Sequence, residues 1–114
     1  MKEPETTPRI TVLTVPDCPN APLVRERIAQ ALEGRTAPVE WITVNDSDAA
    51  TLQRMTGSPT VLLDGIDPFA HDGAVPSLSC RLYRHADGTT DGAPAVADLR
   101  SALTGGWPET TEKE

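Results

Sequence analysis

Residues 9–35 read RITVLTVPDCPNAPLVRERIAQALEGR. The first seven, Arg9 to Val15, are rich in β-branched residues and lie between Pro8 and Pro16, the pattern of a buried strand. From Ala21 onward the period changes. Leu23, Val24, Ile28, Ala31 and Leu32 recur at the spacing of one helical face, and Gly34 supplies a stop. Pro16 to Pro22 form the corner between strand and helix, with Cys18 inside it.

Outward from this corner the alternation continues. Val39–Val44 (VEWITV) predicts a second strand, and Asp46 or Ser47 can cap a short helix running through Met55. Gly57-Ser58-Pro59 breaks the chain before a third strand at Thr60–Asp64 (TVLLD), which Gly65 turns. Cys80–Arg84 (CRLYR) predicts a fourth strand, followed by an Asp87-Gly88 turn. Ala95–Leu103 predicts a closing helix between Gly92-Ala93-Pro94 and Gly105-Gly106. The expected order is β-α-β-α-β-β-α. A right-handed βαβ crossover makes the first two strands parallel, and a hairpin with a helix completes the domain. Ile66 to Ser79 is extra to that order, an insertion of about 14 residues between strands three and four, a length at which structureless loops are usually functional or mobile. There is no internal repeat.

A chain of 114 residues fits one domain, and a domain of this size buries roughly two-thirds of its unfolded surface without needing a disulfide or metal. Hydrophobic residues make up only 38%. Residues 1–8 (MKEPETTP) and 107–114 (WPETTEKE) offer little to a core and read as disordered tails around a domain at 9–106. The net charge of −7, with no cluster of Lys and Arg, argues against nucleic acid or an anionic membrane as partner. No apolar run approaches the ~20 residues of a membrane span, and Lys2-Glu3-Pro4-Glu5 is unlike a secretory leader. The expected compartment is the cytoplasm, where thiols stay reduced.

Two cysteines therefore carry the chemistry to be expected. A thiol at a helix amino end meets unpaired N–H groups and the positive end of the helix dipole, which favour the nucleophilic thiolate. Cys18 is so placed, with Pro19 and Pro22 suited to a first turn and either Cys18 or Asn20 as cap. Asp17 opposes the effect by its charge. The bland alternative is a small residue filling a corner. Ser58-Pro59 opens strand three, and a cis bond there would set the Ser58 backbone beside the thiol, where an extended peptide can pair with it; the alternative is an ordinary trans proline. Cys80 has two possible positions. A direct hairpin leaves it about 16 Å from Cys18 along strand three; an insertion folded back over the top brings the two together. His71 and His85 lack ligand spacing. Asp64, Asp67 and Asp72 suit turns, Arg81 and Arg84 point to opposite faces, and Trp41 and Tyr83 suit core or edge positions.

Val-Pro-Asp-Cys-Pro-Asn at 15–20, Gly-Ser-Pro-Thr-Val-Leu-Leu-Asp-Gly at 57–65 and Gly-Ala-Pro at 92–94 resemble thioredoxin-like proteins over residues 9–103. Asp67-Pro68-Phe69 and Ser79-Cys80-Arg81-Leu82-Tyr83 resemble, more narrowly, small actinobacterial thioredoxin-like proteins, some labelled alkylmercury lyase. The resemblance implies a thioredoxin-like α/β fold, a cis Pro59 and a reactive Cys18. It departs at position 21, where Ala replaces the second cysteine of a Cys-x-x-Cys motif, and at Asp17, where an aromatic is usual. Three functions follow as expectations. The first is thiol–disulfide exchange through Cys18 with a protein or small thiol, with Cys80 as resolving partner, Pro19, Asn20, Ser58 and Pro59 positioning the partner, and no cofactor. The second resembles organomercurial lyase, with Cys18 and Cys80 as soft ligands for the mercury of an alkylmercurial and Asp17 as acid. The third is a binding or accessory module without catalysis.

Overall fold

The computed structural model describes residues 9–34, 37–70 and 73–103. The elements run β1 (Ile10–Thr14), α1 (Ala21–Leu32), β2 (Val39–Thr43), α2 (Ser47–Gln53), β3 (Thr56–Ser58), β4 (Thr60–Leu63), β5 (Ser77–Cys80), β6 (Tyr83–Arg84), β7 (Thr90–Asp91) and α3 (Val96–Leu103). The fold is mixed α/β. All five residues of β1 are buried, as a central strand covered on both faces requires. β2 pairs with it in parallel, Ile10 opposite Val39 and Thr14 opposite Thr43. β4 pairs antiparallel on the other edge, Ile10 opposite Leu63 and Leu13 opposite Thr60.

Strand alternation divides the core in two. Ile10, Val12, Val61 and Leu63 face one side, where α1 lays down Val24, Ile28 and Ala31 and α3 adds Leu99, Ala102 and Leu103. Leu13 and Leu62 face the other, against Val44, Ala50 and Met55 around α2. Fully burying a side chain such as Ile10 or Leu13 contributes about 1.5–3 kcal/mol. Both early helices end on a left-handed residue, Glu33 (φ 53°) and Arg54 (φ 64°). α1 thus stops just before the expected Gly34, and α2 stops short of Met55, which turns into the core. Asp46 is the α2 cap, its carboxylate accepting the Ala49 N–H at 2.8 Å.

The second half differs from the expected hairpin. The stretch read as one strand at Cys80–Arg84 is split. β5 begins inside the supposed insertion and pairs in parallel with β3, and β6 pairs antiparallel with β7. Neither pairs with β4. The reason lies in the side chains. Leu78 packs against the α2-side core, Leu82 is left exposed between β5 and β6, and the Arg81 head is drawn inward by Asp67. The foreseen tails, the domain end at 104–106, His71 and Asp72 lie outside the described residues.

Candidate functional site

Cys18 sits in the corner between β1 and α1. Its N–H donates to the Val15 carbonyl (3.3 Å) and its carbonyl accepts the Ala21 N–H (3.2 Å), so the corner is a hydrogen-bonded turn. Asn20 occupies the α1 cap position without a side-chain cap bond, and Cys18 stands two residues ahead of it. The Asn20 carboxamide instead lies against Gly92, so closely that a side chain at 92 would overlap it. This contact fixes the corner against the turn that leads into α3, and it explains the glycine of Gly92-Ala93-Pro94. Asp17, in a left-handed conformation (φ 59°), and Pro19 are exposed.

Cys18 is buried, at 7% exposure. Its partner is Ser58, also buried. The Ser58 hydroxyl accepts the Val15 N–H (3.1 Å) and donates to Cys18 Sγ (3.0 Å). The Ser58–Pro59 peptide bond is cis. The Ser58 carbonyl, expected to face a partner chain, accepts the Arg81 N–H at 3.0 Å. This chain's own β5 therefore lies along that edge.

In this pairing Thr56 is opposite Ser77 and Ser58 is opposite Cys80, with an irregularity between. Neighbouring strands lie roughly 5 Å apart. One strand spacing thus separates the Cys80 backbone from the residue whose hydroxyl holds the Cys18 sulfur. Of the two positions foreseen for Cys80, the backbone follows the folded-back one, and Cys80 is an exposed thiol in place of a buried one at the far end of β4. Both cysteines are free. Gly57 lets the two strands approach: its φ is +127°, and a Cβ there would meet Arg81 Cβ at 2.7 Å.

The strap formed by β5 and Arg81 is anchored from below. Arg81 Nη1 lies 2.7 Å from Asp67 Oδ2 and 3.0 Å from Thr56 Oγ1, and Nη2 donates to the Phe69 carbonyl at 2.8 Å. Both charged side chains are about nine-tenths covered. The Arg81 head stacks over Tyr83, whose hydroxyl donates to the Pro59 carbonyl at 2.5 Å, and Phe69 meets the same ring edge-on. Burial pushes the Tyr83 phenol well above its ordinary range. Asp67 does act as a turn residue, accepting the Phe69 N–H at 2.9 Å. Its ion pair with Arg81 had no sequence signal, because the partners are 14 residues apart in irregular chain. Arg84 is exposed, yet both arginines line one cleft, against the expectation that they point to opposite faces.

A second cluster ties α1 to the β6–β7 turn. Arg27 grips Asp91 with both nitrogens (2.9 and 2.7 Å), and His85 Nε2 lies 3.0 Å from the same carboxylate. Hydrogen bonding to Arg27 holds the Asp91 carboxyl well below the usual carboxylate range. His85, read as a loop histidine, belongs to this brace.

A cleft of about 580 Å³ opens along Thr56, Phe69, Arg81, Tyr83, Arg84 and Pro94, with neither cysteine in its wall. Among the described residues no group of three or more His, Cys, Asp or Glu is placed to hold a metal ion, and no helix is long and apolar enough to cross a membrane. No family model matches the chain, no curated protein matches it, and no solved structure matches it.

Proposed function

We propose that this is a thioredoxin-like domain in which Cys18 and Cys80 together carry out thiol–disulfide exchange with a protein or small-molecule thiol. The single observation that carries the reading is the shared residue between them: Ser58 donates to Cys18 Sγ and is the strand partner of Cys80. The parallel β1–β2 and antiparallel β1–β4 pairs support the fold, as does Cys18 at the β1–α1 corner.

The chemistry needs no cofactor. A thiolate of the protein attacks one sulfur of a partner disulfide, and the partner's other sulfur leaves as a thiolate, giving a mixed disulfide. The second protein thiol, as thiolate, then attacks the protein sulfur of that bond. The partner's remaining sulfur leaves, and the protein holds a disulfide in place of two thiols. Ala21 denies Cys18 the neighbour of a Cys-x-x-Cys motif; Cys80 takes that place from the folded-back segment. The Ser58 hydroxyl, which accepts the Val15 N–H, donates to the Cys18 sulfur. That is the direction of donation a thiolate accepts.

The test is the stoichiometry of glutathione release. Reduced protein mixed with oxidised glutathione should release two thiols per chain and retain no glutathione. Cys18→Ser and Cys80→Ser should each release at most one and stop at the mixed disulfide. Wild-type protein that also stops at the mixed disulfide would show that the two cysteines do not act as a pair.

A further inference from the structure

We infer that Cys80, not Cys18, is the thiol that first attacks the partner's disulfide, and that Cys18 is the resolving thiol. The inference rests on the exchange reaction proposed above and assigns its order. Cys80 is exposed, whereas Cys18 is 7% exposed beneath Ser58. Attack requires the nucleophile, the attacked sulfur and the leaving sulfur to stand in line, so access decides which thiol a bulky disulfide can meet.

The strap decides whether Cys18 can be uncovered. A partner chain cannot pair at the Ser58 carbonyl while the Arg81 N–H occupies it. Lifting the strap would break that bond and unseat Leu78. It would also pull Arg81 away from Asp67, Thr56 and Phe69, leaving a charge without partners. Entry at Cys80 breaks none of these.

The order of bonds follows. The Cys80 thiolate attacks the partner disulfide; a Cys80–partner bond forms and one partner thiolate leaves. Cys18 loses its proton to solvent and its thiolate, held toward Ser58, attacks Cys80 Sγ. The Cys18–Cys80 bond forms, the second partner thiolate leaves, and the partner disulfide has been reduced by the two protein thiols.

The probe is the aromatic disulfide 5,5′-dithiobis(2-nitrobenzoate), whose released thiolate absorbs visible light. Cys18→Ser should release one equivalent at the rate of the wild-type first phase and keep the adduct. Cys80→Ser should react at least about 10-fold more slowly, as access to sulfur demands. Cys80 is exposed, so its substitution leaves the fold intact; because Cys18 is buried, wild-type protein quenched early and mapped by peptide mass gives an independent reading. An early adduct on Cys80 is the expected result. An early adduct on Cys18, or Cys80→Ser reacting as fast as wild type, overturns the assignment. The exchange reading itself is judged separately, by whether wild type goes on to release a second equivalent.

Discussion

Ser58 Oγ lies 3.0 Å from Cys18 Sγ across 40 residues of sequence, and the same serine faces Cys80 across the strand pair. Its hydroxyl both accepts from Val15 and donates to sulfur. Ser58→Ala removes both bonds and leaves the Val15 N–H without its acceptor. Such a loss costs about 1–3 kcal/mol. Denaturant unfolding should show that loss. The release of the first thiol equivalent should be unchanged, and that of the second slower. A variant in which both phases slow equally would mean that Ser58 acts only on the fold.

Asp67 anchors the strap through a buried ion pair. Asp67→Asn keeps an acceptor for the Phe69 N–H but leaves the Arg81 charge unpaired, which costs about 3 kcal/mol or more. Adding Arg81→Met removes the stranded charge and should recover part of that loss. Urea denaturation of wild type and the two variants measures it; an Asp67→Asn protein as stable as wild type would contradict the pairing.

Tyr83 is the single tyrosine of the chain, so its titration can be followed by ultraviolet absorbance alone. Burial raises its phenol above the value of about 10 expected of a free tyrosine. The sign follows from linkage: the folded state ionises later than the unfolded one, so the contribution of Tyr83 to stability is complete below about pH 10 and is lost as pH rises further. Ionisation should appear only well above 10 in the native protein and return to about 10 in denaturant. A native midpoint near 10 would contradict the buried Tyr83–Pro59 contact.

Gly57 and Gly65 both have positive φ, +127° and +82°. Alanine at 65 meets no atom within 4 Å, so it bears backbone strain alone, whereas alanine at 57 also overlaps Arg81 Cβ. Strain of this kind costs about 1–3 kcal/mol. Gly57→Ala should lose more stability than Gly65→Ala in parallel denaturation curves; equal losses would mean that β5 is not packed on Gly57.

The legible part of the fold was the part written in local pattern. The β-branched run at 10–14, the period of α1 and the Asp46 cap each declare themselves within one turn or one strand. The same holds for the Cys18 corner, and the Gly-Ser-Pro run pointed to Ser58. The path of residues 66–84 was not legible, because non-local partners hold it: Asp67 with Arg81, Tyr83 with Pro59, and Arg81 N–H with the Ser58 carbonyl. Leu82 sits in a stretch that reads as one strand yet faces solvent, since the chain turns there to satisfy Arg81 and Tyr83. Cys80 therefore had two positions open in sequence and one in structure.

Cys18 and Cys80 should join in one disulfide when the protein is oxidised. Wild-type protein should be oxidised with oxidised glutathione, its remaining thiols blocked, and the product digested without reductant. Peptide mass mapping then reads the linkage directly. One dominant product is expected, a peptide containing Cys18 joined by a disulfide to a peptide containing Cys80. Glutathione retained on Cys80, with Cys18 recovered as the blocked free thiol, would contradict it.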